Sequence, residues 1–173
     1  MKNLEIERVF LVKELPKDIE QSRHIIIKVG DFFEPNTIDA LKLKQKGDTY
    51  ELVKKEGHST LNRTEHTIKI KKKEFDILWK VTTQNHEKIR YYFPIGEHLC
   101  EIDCYKGRLD GYVRVEVEFS NKKKAHEFIS PQWFGTEISD FNHDIHEDLG
   151  LVSFEEMKQR YLKRKISLHK MSI

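Results

Sequence analysis

The chain alternates. From Leu4 to Phe119, segment after segment carries an apolar residue at every second position. Period two is the mark of β-strands with one buried face. In the first segment Leu4, Ile6, Arg8, Phe10 and Val12 share one face, and Glu5, Glu7, Val9 and Leu11 share the other. The pattern returns at His24–Phe33, Ile38–Gln45, Thr49–Lys55, Arg63–Lys71, Lys88–Phe93, Leu99–Tyr105 and Tyr112–Phe119. Turn residues separate these runs: Glu34-Pro35-Asn36, Lys46-Gly47-Asp48, Pro94-Ile95-Gly96 and Lys106 to Gly111. A short helical turn is expected after Leu15-Pro16-Lys17-Asp18. Helices are expected at Lys73–Val81, where Phe75, Leu78 and Trp79 recur at helical spacing, and at Asn121–Phe128. A third follows the capping box Ser153-Phe154-Glu155-Glu156, with Met157, Tyr161 and Leu162 on one side. Lysines and arginines crowd its last turns, which suits the helix dipole. The fold class is α+β, built on a mainly antiparallel sheet of about eight strands, long enough to curl or close.

The polar faces are sorted by sign. Glu5 and Glu7 are acidic, as are Glu116 and Glu118; Lys42 and Lys44 are basic, as are Lys88 and Arg90. On one strand, alternate side chains lie roughly 6.6–6.8 Å apart, so like charges there repel wherever the dielectric is low. Ordinary solvent faces mix signs. Charged residues are 35% of the chain and hydrophobic ones 38%, a ratio that suggests some charges face an interior cavity. A closed barrel would reconcile these facts, its apolar faces packed outward against helices and its charged faces lining a lumen. Oxygen ligands without His or Cys favour Mg²⁺ or Mn²⁺. The basic strands would hold an anion, and a metal-chelated polyphosphate satisfies both sets.

Net charge is only +2, so the chain is not a general polyanion binder by charge alone. Cys100 and Cys104 match no common zinc or redox spacing and read as small buried hydrophobes. Acidic residues interrupt the first apolar run, so it is not a signal peptide, and no run has membrane-spanning length. We expect a soluble cytoplasmic protein with no membrane partner. His143, Asp144, His146 and Glu147 invite a metal reading, but no third distant ligand accompanies them. His24, His66 and His98 read as ordinary strand residues. The basic stretch Lys158–Lys170 reads as a solvated helix face, because no aromatic stacking platform accompanies it, so no specific nucleic acid is expected.

The motifs, in order, resemble a known family. Glu5-Ile6-Glu7-Arg8-Val9-Phe10-Leu11-Val12 is similar to the N-terminal Glu-x-Glu-x-Lys signature of the CYTH, or triphosphate tunnel metalloenzyme, superfamily. Lys42-Leu43-Lys44 stands where that family has Arg-x-Arg. Tyr50–Lys55 resembles its Tyr-Phe-Leu-Thr-x-Lys strand, and Arg63-Thr64-Glu65-His66-Thr67 its Arg-x-Glu-x-Glu. Lys88-Ile89-Arg90-Tyr91, Glu101-Ile102-Asp103 with Gly107, Glu116-Val117-Glu118 and Trp133-Phe134-Gly135 follow in register. The likeness covers roughly residues 4–150.

The resemblance implies an eight-stranded antiparallel tunnel with flanking helices, occupying residues 1–173 as one domain. The barrel core would span about 4–150 and the C-terminal helix about 153–166. It implies divalent-metal-dependent hydrolysis of inorganic tripolyphosphate or a nucleoside triphosphate, by a monomer or homodimer. The alternatives are class IV-type adenylyl cyclisation and non-catalytic binding of polyphosphate or nucleotide. Carried over, Glu5, Glu7, Glu116 and Glu118 are the catalytic metal ligands, with Glu65 a further ligand. Lys42, Lys44, Lys55, Arg63, Lys88 and Arg90 hold phosphate. Three positions depart from the motifs: Val9 replaces the lysine, Thr67 replaces the second acid of Arg-x-Glu-x-Glu, and lysines replace both arginines of Arg-x-Arg. Weakened turnover is the expected consequence.

Overall fold

The computed structural model describes the backbone of residues 2–32, 40–59, 62–140 and 148–172, with the side chains of 2–5, 57–59, 62 and 63 outside the described set. His143, Asp144, His146 and Glu147 therefore lie outside the described residues. One antiparallel sheet dominates. Its strands are β1 (Lys2–Glu5), β2 (Glu7–Val12), β3 (His24–Phe32), β4 (Ala40–Lys46), β5 (Thr49–Ser59), β6 (Asn62–Ile70), β7 (Gln84–Ile95), β8 (His98–Tyr105), β9 (Val113–Glu118) and β10 (Phe134–Glu137). Their order is β1-β6-β5-β4-β3-β7-β8-β9-β2-β10. The count exceeds eight because the first run is divided at Ile6 and a short tenth strand, β10, pairs with β2. With only Ile6 between them, β1 pairs with β6 while β2 pairs with β9. One short segment thus reaches strands far apart in the ladder, which requires the sheet to curl.

The outer face holds one apolar core. Phe10, Val12, Cys100, Ile102, Val113, Val115 and Val117 are buried there, beneath Ala125 of helix α2 (Lys122–Glu127) and Phe134 of β10. Arg8 points to this side, as its parity requires. Its guanidinium forks onto Glu137 at 2.8 and 2.6 Å, donates to the Ala125 and Phe128 carbonyls, and lies over the Phe10 ring. Cys100 and Cys104 are buried free thiols, and burial pushes both up to about 12. Helix α1 (Lys72–Trp79) lays Phe75 against Tyr50 and Trp79. Gly30 permits the approach, since a Cβ there would sit 2.6 Å from Thr82 and 3.0 Å from Trp79.

A second core covers the opposite, inner face at one end. Val9, Leu11, Tyr105 and Tyr112 belong to it together with Leu149, Val152, Phe154, Met157, Tyr161 and Leu168. The last group comes from helix α3 (Phe154–Lys163) and its flanks. The capping box forms as expected: Ser153 Oγ accepts from Glu156 N at 3.3 Å, and Glu156 accepts from Ser153 N at 2.8 Å. Arg160 forks onto Asp148 at 2.5 and 2.8 Å, and Gly150 N donates to Gln84 on β7 at 2.9 Å. The Gly150 bond ties the start of the C-terminal segment to β7, and Met171 N, donating to the Gly111 carbonyl at 2.9 Å, ties its end beside β9.

β7 differs from its sequence reading. It runs through Pro94, paired with Leu99, and the turn falls at Gly96-Glu97. β3 accompanies β7 only as far as Tyr91. Tyr92 N still donates to the Arg23 carbonyl at 2.9 Å; beyond it, among the described residues, no strand pairs with that edge of β7, and the missing N–H of proline costs no ladder bond.

Candidate functional site

The register decides which charges share the inner face. Glu7 lies opposite Glu118, Val9 opposite Glu116 and Leu11 opposite Arg114. Glu116 is in turn opposite Glu101, and Arg114 opposite Asp103. Asp103 lies opposite Arg90, and Tyr105 opposite Lys88. Continuing round, Lys46, Lys44 and Lys42 of β4 face the same way as Glu51 and Lys55 of β5 and Glu65 and Thr67 of β6. Period-two pairing carries this parity from strand to strand. Glu5 pairs with Arg63 in backbone register; the roles expected of these two fall on side chains outside the described set. Every other expected site residue lies on this one face.

The charges do not stand alone. Arg90 forks onto Asp103 at 2.6 and 2.7 Å, donates to Glu116 at 2.7 Å and also pairs with Glu101. Lys88 pairs with Asp103. Arg114 donates to Glu116 at 2.9 Å. Both oxygens of Glu116 are therefore met by guanidinium groups. Burial alone would raise the Glu116 pKa, but Arg90, Lys88 and Arg114 pull it well below the usual carboxylate range. Asp103 is lowered in the same way by Arg90 and Lys88. Glu101 goes the other way. Burial raises it, and the nearby Glu116, Asp103 and Glu118 add to that despite Arg90.

A second group sits on β3 to β6. Lys42 pairs with Asp31 at 3.0 Å, Lys55 with Glu65 at 3.1 Å, Lys44 with Glu65 at 3.9 Å, and Lys46 with Glu51 at 3.3 Å. Thr67 donates to Glu65 at 3.0 Å. Burial, then Lys55, lowers Lys44 to about 7. Burial opposes ionisation of Glu65, but Lys44 and Lys55 outweigh it and bring its pKa to about 2. Burial and Arg90 lower Lys88 to about 8. The two groups feel each other. Lys55 on β5 contributes to the pull on Glu116, although several strands separate β5 from β9 in the ladder. The curled sheet brings them face to face.

The sequence motifs missed several members of this face. Asp31, Glu51, His86, Tyr105 and Arg114 are not among the site residues that the motifs point to. Glu101 and Asp103 entered only through their motif. The signal for Glu101 and Asp103 was present, since acids alternate with apolar residues in Glu101-Ile102-Asp103-Cys104. The sorting by sign also holds less strictly than the sequence suggests. β9 mixes Arg114 with Glu116 and Glu118, and β5 mixes Glu51 with Lys55, so neutralisation runs across strands.

The donor set suits a hard divalent cation, because Glu7, Glu118, Glu101 and Glu116 offer only oxygen. Like charges directly opposite are destabilising unless something lies between them; Glu7/Glu118 and Glu101/Glu116 are such pairs, and Arg90 already meets both members of the second. The residues fit a metal in kind. Among the described residues no three His, Cys, Asp or Glu side chains are gathered round one point, consistent with Glu116 being turned to two arginines.

No family model matches the chain. The inorganic triphosphatase of Nitrosomonas europaea is 36% identical over 140 residues, covering 79% of this chain and 89% of that protein. A crystal structure of an inorganic triphosphatase superposes with TM-score 0.63 at 31% identity, covering 85% of this chain and 94% of that one. A Bacillus halodurans protein proposed to be an adenylate cyclase shares the fold, with TM-score 0.56 at 15% identity over 72% of this chain and 85% of its own. The ordered motifs, the charged inner face and the inorganic triphosphatase relative converge: the chain belongs to the CYTH, or triphosphate tunnel metalloenzyme, superfamily.

Proposed function

We propose that this chain hydrolyses inorganic triphosphate, with Mg²⁺ or Mn²⁺, on the inner face of its curled sheet. The observation that carries the reading is the joint presence on that face of opposed carboxylate pairs and a broad set of cations. The carboxylates are Glu7/Glu118 and Glu101/Glu116; the cations are Lys42, Lys44, Lys55, Lys88 and Arg90. The similarity to inorganic triphosphatase supports it. Phosphoryl transfer needs mainly positioning and charge neutralisation, which such a surface provides. Glu7, Glu118 and Glu101 would hold the cation, Glu5 is carried over as a further ligand from the family motif alone, and Glu116 would join by turning from Arg90. The bound cation would neutralise phosphoryl oxygens. The lysines would hold phosphate as point charges, without the fork of arginine. Arg90, released from carboxylate as the anion enters, would supply the bidentate contact.

A second reading is tight binding with little turnover. It is favoured by Val9, only 5% exposed within the second apolar core, where the family motif has a lysine. One experiment separates the two. The chain is incubated with inorganic triphosphate and Mn²⁺, and orthophosphate release is followed alongside calorimetric binding. Metal-dependent release is expected. Loss of at least tenfold is expected in Glu118→Gln, an exposed position whose change spares the buried ion pairs. Binding without release establishes the second reading; neither binding nor release overturns both.

A further inference from the structure

Among the described residues, three buried polar atoms on the inner face have no hydrogen-bond partner: His86 Nδ1, Tyr105 Oη and Arg114 Nε. They are neighbours. The His86 and Tyr105 rings lie 5.6 Å apart, and the Arg114 guanidinium sits 5.4 Å from the Tyr105 ring centre. Lys88 Nζ lies 5.6 Å from the same ring. Tyr105 is 1% exposed and the His86 side chain 6%. An orphaned buried polar group forfeits its full desolvation penalty, and native structures rarely tolerate several together. Three in one place mark the seat of something polar.

Its charge follows from the surroundings. His86 is held well below its ordinary pKa by burial and then by Lys42, Lys88, Arg114 and Lys44, so cations dominate the local field. The nearby acids are engaged: Asp103 with Lys88 and Arg90, Glu116 with Arg90 and Arg114, and Asp31 with Lys42 at 3.0 Å, its other oxygen 3.9 Å from His86 Nδ1. The seat adjoins the apolar core contributed by α3, of which Tyr105 is itself a member together with Val9, Leu11, Met157 and Tyr161. Whatever occupies it must be compact.

We propose that His86, Tyr105 and Arg114 form a subsite for a single tetrahedral phosphate group at the end of the inner face covered by α3, taking the terminal group of inorganic triphosphate. The proposal rests on the triphosphate reading above. Because this end adjoins the apolar core, a bare phosphate is the group expected there, and a nucleoside attached to that end would meet the core. Substrate would therefore lie with one terminal phosphate among these three residues and the remainder toward Glu7 and Glu118.

Metal-free binding tests it apart from catalysis. Orthophosphate and inorganic triphosphate are titrated calorimetrically with chelator present, using the intact chain, Tyr105→Phe and Arg114→Lys. The first variant removes only the hydroxyl; the second keeps the charge and loses Nε. Thermal melting confirms that each is folded. About tenfold weaker binding of both anions in each variant is expected, as for a lost hydrogen bond to a charged group. Unchanged affinity for either anion in Tyr105→Phe, or no orthophosphate binding by the intact chain, overturns the proposal. Metal-dependent phosphate release would stand in that case, so the two failures are distinguishable.

Discussion

Val9 lies opposite Glu116 in register, yet it belongs with Met157, Tyr161 and Leu149 in the core contributed by the C-terminal segment. A lysine restored there would have to share Glu116, both oxygens of which already receive hydrogen bonds from Arg90 and Arg114, and its stem would disturb the apolar core. A buried ammonium without a partner of its own is costly. Val9→Lys should lower stability by about 2–4 kcal/mol, read as the shift in denaturant midpoint, with no gain in phosphate release. Faster release at unchanged stability would show that position 9 opens to the substrate. Glu116→Gln should behave as a stability variant as well as an activity variant. Removing one partner from a buried ion cluster costs about 3–5 kcal/mol, a larger loss than Glu118→Gln should cause at its exposed position. This contrast also shows how far single residues can be read from sequence. Parity put Glu7, Glu116, Glu118, Lys42, Lys44, Lys88 and Arg90 on one face, because alternation is a local property. It could not tell that Arg90 would take one oxygen of Glu116, since that depends on which strand lies next to which.

At the scale of elements, α3 and the turn before it hold the inner core in place. Gly150 approaches β7 so closely that a Cβ would lie 2.5 Å from Asn85 N and 2.7 Å from Asn85 O. Backbone atoms cannot give way as a flexible side chain does. Gly150→Ala should therefore break the Gln84–Gly150 hydrogen bond and cost about 1–3 kcal/mol. Ser153→Ala should cost about 1 kcal/mol by removing the cap. If thermal melting shows the two variants equally mild, the 148–151 turn shifts without loss and does not anchor the segment. The capping box was legible in four residues, and so were most strands. The path of β7 through Pro94 was not, because whether a proline breaks a strand depends on whether a neighbour needs its N–H. Likewise, that the segment carrying α3 covers the charged face and not the apolar one follows from the hydrogen bond of Gly150 to Gln84, a contact remote in sequence.

For the whole molecule, the buried lysines couple proton uptake to anion binding. Lys44 titrates at about 7 and Lys88 at about 8, both lowered chiefly by burial and then by a neighbouring cation, Lys55 for the first and Arg90 for the second. Above these values the free protein loses positive charge from the inner face. A bound polyanion favours the protonated lysines, so binding draws protons in. Affinity for inorganic triphosphate should fall as pH rises from about 7 to 8.5, approaching tenfold per unit for each proton taken up. Stability of the ligand-free chain should move the other way. Unfolded lysines titrate near 10.4, so over this range the unfolded state binds more protons than the folded one and stability rises with pH. The gain ends above about 8.5, where the unfolded chain ionises Cys100 and Cys104 while burial holds both thiols up to about 12 in the fold. Calorimetric affinity and melting temperature measured across pH 7–8.5 should therefore diverge. Parallel trends would mean that solvent reaches Lys44 and Lys88 freely, and that the inner face is more open than its ion pairs imply.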